Sequence, residues 1–190
     1  MKRIMFNDKY GLTQAVLDGR KTQTRRIIKA KNFFETDKIE DYAVFGNEIQ
    51  IIANHGESLI TIKSNYKVGE IVAIAQRYKD VIPCESIPQN KMWNNKMFVS
   101  ASFMPHQIRI TNLRIERLQD ISDEDCLSEG IEFDCKSQSF YCGFNNSTNS
   151  KIWLGRTPRE AYAELIDKVS GKGTWERNPY VFVYYFELVK

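Results

Sequence analysis

The chain has 190 residues and 22.2 kDa, with 42% hydrophobic and 27% charged residues, and 27 Lys+Arg against 24 Asp+Glu for a formal net charge of +3. That length suits one domain, or one domain with sizeable insertions, able to bury a core without disulfide or metal staples. The composition excludes disordered, collagen-like and coiled-coil classes; no apolar run approaches the ~18 residues of a membrane span, and residues 1–7 contain no signal-peptide core.

In chain order, Leu12, Ala15 and Val16 recur at helical spacing and Asp18-Gly19 supplies the stop, which predicts a short helix with Gly19 in the left-handed position after its end. A basic segment follows, then a polar stretch to about residue 47 that reads as loop or ornament. Ile49, Ile51, Ile60 and Ile62 flank an Asn54–Glu57 turn as a hairpin. Residues 71–75 read as a buried strand, 79–96 as loop, and 97–103 and 107–119 as strands. In the last of these the apolar parity changes from Ile108/Ile110 to Leu113/Ile115, which predicts a β-bulge near Thr111-Asn112. Ser122-x-x-Asp125 opens a second short helix that ends at Gly130. Residues 134–156 read as a Ser/Asn-rich excursion. Thr157, Pro158 and Glu160 cap a third helix with Ala161, Tyr162, Leu165, Ile166 and Val169 on one face. Residues 180–189 (YVFVYYFELV) read as a central strand. The expected class is α+β, a small, mostly antiparallel or barrel-like sheet with three short helices.

The charge is informative once it is divided. Residues 20–31 contain Arg20, Lys21, Arg25, Arg26, Lys29 and Lys31 with no acid, so the rest of the chain is net acidic. Residues 118–134 contain Asp120, Asp123, Glu124, Asp125, Glu129, Glu132 and Asp134 with no base. Such blocks are either solvated faces or a site for a phosphate-bearing partner with acids beside it. Cys84, Cys126, Cys135 and Cys142 form no C-x-x-C pair, and only His55 and His106 could complete a zinc site. Scattered cysteines without a secretion signal read as reduced thiols in a cytoplasmic protein, and no metal or other cofactor is expected.

Residues 19–26 (GRKTQTRR) fit the pattern G-x-K-x-x-T-x-R, with Gly19, Lys21, Thr24 and Arg26 at the fixed positions and a short helix before them. This resembles the signature of the ASCH (activating signal cointegrator homology) family, in the superfamily of the PUA RNA-binding domain. The stretches FNDKYGLTQAVLDGRKTQTRRII, YKVGEIVAIAQRY, ITNLRIERLQDISDEDCLSEGI and TPREAYAELIDKVSGKGTWERNPYVFVYYFELV are similar to phage-borne and bacterial ASCH proteins. The resemblance implies one PUA-like β-barrel domain over 1–190, with insertions near 30–65, 79–96 and 134–156. Many relatives carry Arg-Glu where this chain has Ala75-Gln76, so no role of that pair transfers.

The family resemblance implies a cleft, bordered by the basic segment, that binds RNA or a modified nucleoside. Small bacterial members imply more: hydrolysis of the amide of N(4)-acetylcytidine by a lysine, a threonine and a glutamate, which fall by position on Lys21, Thr24 and Glu129. Alternatives stand beside this. One is a non-catalytic RNA-binding module; another is a phage or host protein-interaction adaptor, suggested by the insertions. Lys21 is equally a solvated cation or phosphate contact, and Thr24 a strand former or capping hydroxyl. Arg20, Arg25 and Arg26 would hold phosphate, or in the case of Arg26 pair with the acidic block. Trp175, Arg177 and Tyr180, ahead of the last strand, either stack and hold a base or pack the core. Side chains three apart in a regular strand point to opposite faces, so a cleft shared by Lys21 and Thr24 requires residues 19–24 to turn.

Overall fold

A computed structural model describes residues 1–30, 33, 38–56, 58–83, 91–145 and 150–189. Lys31, Glu57, Cys84 and residues 85–90 of the expected insertion lie outside the described residues. The fold is α+β, with mostly antiparallel sheets.

The main sheet has five strands: β1 (Arg3–Ile4), β2 (Gln23–Ile27), β6 (Ile71–Ile74), β7 (Gln107–Arg117) and β11 (Tyr180–Val189), in the order β1-β6-β7-β11-β2. Only the β1–β6 pairing is parallel. β11 is an interior strand, and its β-branched and aromatic side chains are buried over Tyr180–Val183 and at Tyr184 and Phe186. Its register with β7 slips at Thr111, because Tyr185 faces Asn112 while Phe186 faces Ile110. The bulge therefore sits where the change of apolar parity placed it, and it keeps Ile108, Ile110, Leu113 and Ile115 all buried. Edge strands β1 and β2 share no backbone ladder among the described residues. The sheet nevertheless curls enough for Arg26 Nη2, on β2, to donate to the carbonyl of Met5, next to β1, at 2.6 Å.

The three capped helices form: α1 (Leu12–Leu17), α4 (Asp123–Ser128) and α5 (Pro158–Ser170). Between and after them lie single turns, α2 (Tyr78–Val81), α3 (Lys91–Asn94) and α6 (Thr174–Arg177), too short to leave a periodic signal. The capping box of α5 is complete: Thr157 Oγ1 accepts from the Glu160 N–H, and Glu160 accepts from the Thr157 N–H. Ala161, Tyr162, Leu165 and Ile166 are buried as the face of the helix requires.

Three expectations change. The polar stretch before residue 47 contains a strand, β3 (Ile39–Phe45), that joins β4 (Glu48–Ala53) and β5 (Ser58–Lys63) in a three-stranded sheet. Its burial is half-hearted throughout, so its composition lacks the alternation of a core strand. The hairpin register is the expected one, Ile49 opposite Ile62 and Ile51 opposite Ile60. The 134–156 excursion is also built around strands: β8 (Glu132–Asp134), β9 (Ser139–Asn145) and β10 (Ser150–Gly155) form a second small sheet. Residues 97–103 are not a strand but two 3₁₀ turns, Lys96–Phe98 and Ala101–Phe103, the first capped by Asn95 Oδ1 accepting from the Met97 N–H. Local capping there outcompetes a ladder: Val99 alone is buried, against Ala73, Ala75 and Met104, while Met97, Phe98 and Phe103 stay largely exposed.

Two glycines set the position of the basic segment. Gly19 has φ +76°, and the N–H groups of Arg20 and Lys21 both donate to the Ala15 carbonyl at 2.9 Å, so the chain reverses before β2 starts. Gly130, φ +99°, closes α4 against α1, where a Cβ would stand 3.4 Å from Ala15 Cβ and Leu12 Cδ2 and 3.5 Å from Lys21 Cβ. Nothing lies within 4 Å of a Cβ at Gly19. Gly19→Ala and Gly130→Ala are therefore each expected to cost about 1–2 kcal/mol of backbone strain, the neighbours of a Cβ at Gly130 lying at ordinary contact distance. Urea midpoints of the two variants check this; a much larger loss at Gly130 would show that its neighbours cannot give.

Candidate active site

The turn at Gly19 resolves the geometric conflict within the motif. Lys21 lies before β2 and Thr24 within it, and both line one cavity of about 470 Å³ with Arg25, Arg26, Glu129 and Tyr162. Phe6 and Leu165 supply apolar wall. Glu129 arrives from the C-cap of α4. A carboxylate there opposes the helix dipole, and its partners supply the compensation.

Lys21 and Glu129 are in direct contact, side chain to side chain, with only 2% and 6% of their surfaces exposed. Lys21 Nζ also donates to the Glu129 carbonyl at 2.8 Å and lies 5.9 Å from the centroid of the Phe6 ring. Burial pushes the Lys21 ammonium below its ordinary pKa; Glu129 resists the shift, and Arg26 and Arg25 add to it. The other Glu129 oxygen accepts from Arg25 Nη1 at 3.2 Å.

Arg25 has no exposed side-chain surface and meets three carboxylates: Glu129, Glu116 at 2.7 Å and Asp125 at 2.8 Å. Burial works against its charge, but Glu129 and Glu116 more than offset this, and its pKa is raised. Asp125 shows the counterpart: burial opposes its ionisation, yet hydrogen bonds from Gln23 and Arg25 hold its pKa below the ordinary value. Arg20 pairs at the surface with Asp18 and Glu132, both at 2.9 Å. Of the expected phosphate contacts, Arg20 and Arg25 are thus spent on the acidic block. Arg26 is not. Its guanidinium donates to a backbone carbonyl, and neither Arg26 nor Lys29 meets a carboxylate among the described residues.

Trp175, Arg177 and Tyr180 stand away from this cavity. Trp175 packs edge-on against Tyr162 at 6.1 Å, with Arg159 over its ring. Tyr180 is buried beneath Arg117, whose guanidinium lies 3.7 Å from the ring centroid, and its hydroxyl accepts from the Ile39 N–H. Arg177 donates to Thr174 Oγ1 and leaves the cavity untouched. Both aromatics take the packing role, Trp175 against Tyr162 of α5 and Tyr180 against Phe33 and the start of β3. Gly19 acts through the turn and lines no wall. The Gln76 side chain meets His106 Nδ1 at 2.7 Å, also outside the cavity. Among the described residues no group of His, Cys, Asp and Glu is arranged to hold a metal ion.

Sequence reading assigned Tyr162 to the apolar face of α5, but the structure adds a second role. Its ring is 2% exposed, it lines the cavity, and its hydroxyl has no hydrogen-bond partner among the described residues. Burial and the neighbouring Glu129 keep the phenol pKa well above 10.0, so the hydroxyl is a permanent donor. A buried unpaired hydroxyl costs stability unless something occupies the cavity beside it. No periodicity argument finds this, since the body of the residue is core and only its hydroxyl lacks a partner among the described residues.

Comparison with family models, with curated proteins and with solved structures gave no match. No helix among the described residues is long and apolar enough to cross a membrane.

Arg25→Met removes the cation shared by Glu116, Asp125 and Glu129, leaving Arg114 on the first two and Lys21 on the third, and is expected to cost up to roughly 3–5 kcal/mol at neutral pH. The sign with pH follows from Asp125. Its depressed pKa contributes stability that is present above its ordinary 3.8 and lost as pH falls through the folded value. The variant's deficit should therefore shrink on acidification below about pH 4; urea titrations at pH 7 and pH 3 measure it. Tyr162→Phe is expected to leave the melting temperature unchanged or raised, because it removes an unsatisfied hydroxyl, while weakening whatever the cavity binds. A large loss of stability would mean that the hydroxyl is satisfied by the fold.

Proposed function

We propose that this chain is an ASCH-type protein with a PUA-like barrel, and that its cavity binds a modified nucleoside and hydrolyses the amide of an N-acylated cytidine such as N(4)-acetylcytidine. The observation that carries the reading is the buried Lys21–Glu129 pair lining the same cavity as Thr24. The approach of edge strands β1 and β2 at Arg26 and Met5 supports the barrel.

Amide hydrolysis needs a nucleophile, a base to take its proton and an acid for the leaving amine. Lys21 cannot accept a proton while it is an ammonium. Its depressed pKa and its contact with Glu129 provide the route: the proton passes to the Glu129 carboxylate, leaving a neutral amine. That amine takes the proton of Thr24 Oγ1 as the oxygen attacks the acyl carbon. When the C–N bond breaks, the Lys21 ammonium returns the proton to the cytosine amino group. Water then cleaves the Thr24 ester, with the same pair accepting and releasing its proton. The unpaired Tyr162 hydroxyl is the donor available to the developing oxyanion, while Arg25, engaged by its three carboxylates, keeps Glu129 from swinging away.

The competing reading is a non-catalytic RNA-binding module. It is favoured by Arg26 and Lys29, which line the cavity without carboxylate partners among the described residues. Incubation with N(4)-acetylcytidine separates the two. Wild type should release acetate and cytidine, and Lys21→Ala or Thr24→Ala should slow this by roughly 10²–10⁴-fold. Absence of turnover, or turnover indifferent to both substitutions, leaves the RNA-binding reading.

A further inference from the structure

The cavity does not end at Arg26. A second depression of about 350 Å³ adjoins it, lined by Arg3, Met5, Arg26, Asn65 and Tyr66, and Met5, Arg26 and Asn65 line both. The two ends have opposite electrostatics. At the inner end Lys21 and Arg25 are matched by Glu129, Asp125 and Glu116. At the outer end no carboxylate is among the described lining residues. Arg3 Nη2 donates to the Met97 carbonyl at 2.8 Å and Arg26 Nη2 to the Met5 carbonyl at 2.6 Å. Neither guanidinium has an ion-pair partner among the described residues, and each has five N–H donors, so most remain unspent.

The floor between the two arginines is Tyr66, whose hydroxyl donates to the Arg3 carbonyl at 2.9 Å. Burial raises the Tyr66 pKa and Glu70 adds to the rise, while Arg26 and Arg3 oppose it. Glu70, the nearby carboxylate, is held by Lys2 at 3.1 Å and accepts from the Lys67 N–H. Lys2 itself lies 5.9 Å from the Tyr66 ring centroid. Two forked donors lining one hollow, with no anionic partner among the described residues, match the oxygens of a phosphate group.

We infer that Arg3 and Arg26 form a phosphate subsite continuous with the cavity, so that the ligand is a phosphorylated cytidine, a nucleotide or a nucleotide within RNA, rather than the free nucleoside. This rests on the nucleoside reading of the inner cavity. The step from inner to outer end goes from matched charge, suited to an uncharged base and amide, to unmatched positive charge, suited to the phosphate. Arg26 sits at the junction and touches both.

Calorimetric titration of wild type, Arg3→Gln, Arg3→Lys and Arg26→Gln tests it, with cytidine, cytidine 5′- and 3′-monophosphates, a cytidine dinucleotide and inorganic phosphate as probes. Arg3 lines only the outer depression and is surface-exposed, so Arg3→Gln is expected to fold and to bind cytidine as wild type does. A monophosphate or the dinucleotide should bind wild type at least tenfold more tightly than cytidine. That advantage should vanish in Arg3→Gln and Arg26→Gln and partly return in Arg3→Lys. An advantage confined to the dinucleotide assigns the phosphate to RNA; one shared by a monophosphate assigns it to a nucleotide. Equal affinity for cytidine and its phosphates, or an advantage that survives both glutamine variants, overturns the subsite. Inorganic phosphate binding that both glutamine variants abolish, without any recognition of cytidine, keeps the subsite and overturns the nucleoside reading instead.

Discussion

The structure depends on one buried electrostatic arrangement. Arg25, on β2, has no exposed side-chain surface and is surrounded by Glu116 from β7, and by Asp125 and Glu129 from α4 and its cap, while Lys21 takes the other oxygen of Glu129. Isolated, any of these charges would be too costly to bury. Together they satisfy one another, and the condition for satisfaction is that β2 with the turn before it, β7 and the end of α4 converge. The arrangement therefore specifies the packing more than it stabilises it: moving any one element leaves an unpaired buried charge.

That constraint also makes the cavity. The Gly19 turn carries Lys21 off the line of β2, and Gly130 lets the end of α4 approach α1, so that Lys21 and Glu129 meet beneath Phe6 and Tyr162. A charged pair held out of water has less solvent to stabilise its ions, which makes proton exchange between its members easier than in bulk. The same burial that demands pairing thus creates the condition that general acid–base chemistry needs. Farther out, the basic segment changes role. Arg20, Lys21 and Arg25 are consumed by the acidic block, whereas Arg26 and Lys29 line the cavity without a carboxylate partner among the described residues.

Much of the fold was legible because local chemistry determined it. The caps of α5, the turn at Gly19 and the change of parity that marks the Thr111 bulge are all properties of a few adjacent residues. The small sheets were not. β3 and β10 lie at the edges of marginal three-stranded sheets with mixed burial, and they are strands because of their partners, not because of their own patterning. The apolar 97–103 segment failed in the opposite direction: it has strand-like composition, but only Val99 enters the core while Met97, Phe98 and Phe103 stay exposed.

The candidate site divides in the same way. Lys21, Thr24 and Glu129 were named from a motif and a resemblance, and the tertiary structure brings all three to one cavity; it sends Trp175 and Tyr180 into packing and Arg25 beneath its carboxylates. Neither the unsatisfied hydroxyl of Tyr162 nor the second cation at Arg3 had any sequence signal. By itself the sequence determined that two blocks of opposite charge exist and that one carries a turn and a motif, since net charge, glycine placement and capping are local quantities. Only the tertiary structure decided which charges neutralise each other and which are left facing a cavity, because pairing depends on distances between residues about a hundred positions apart.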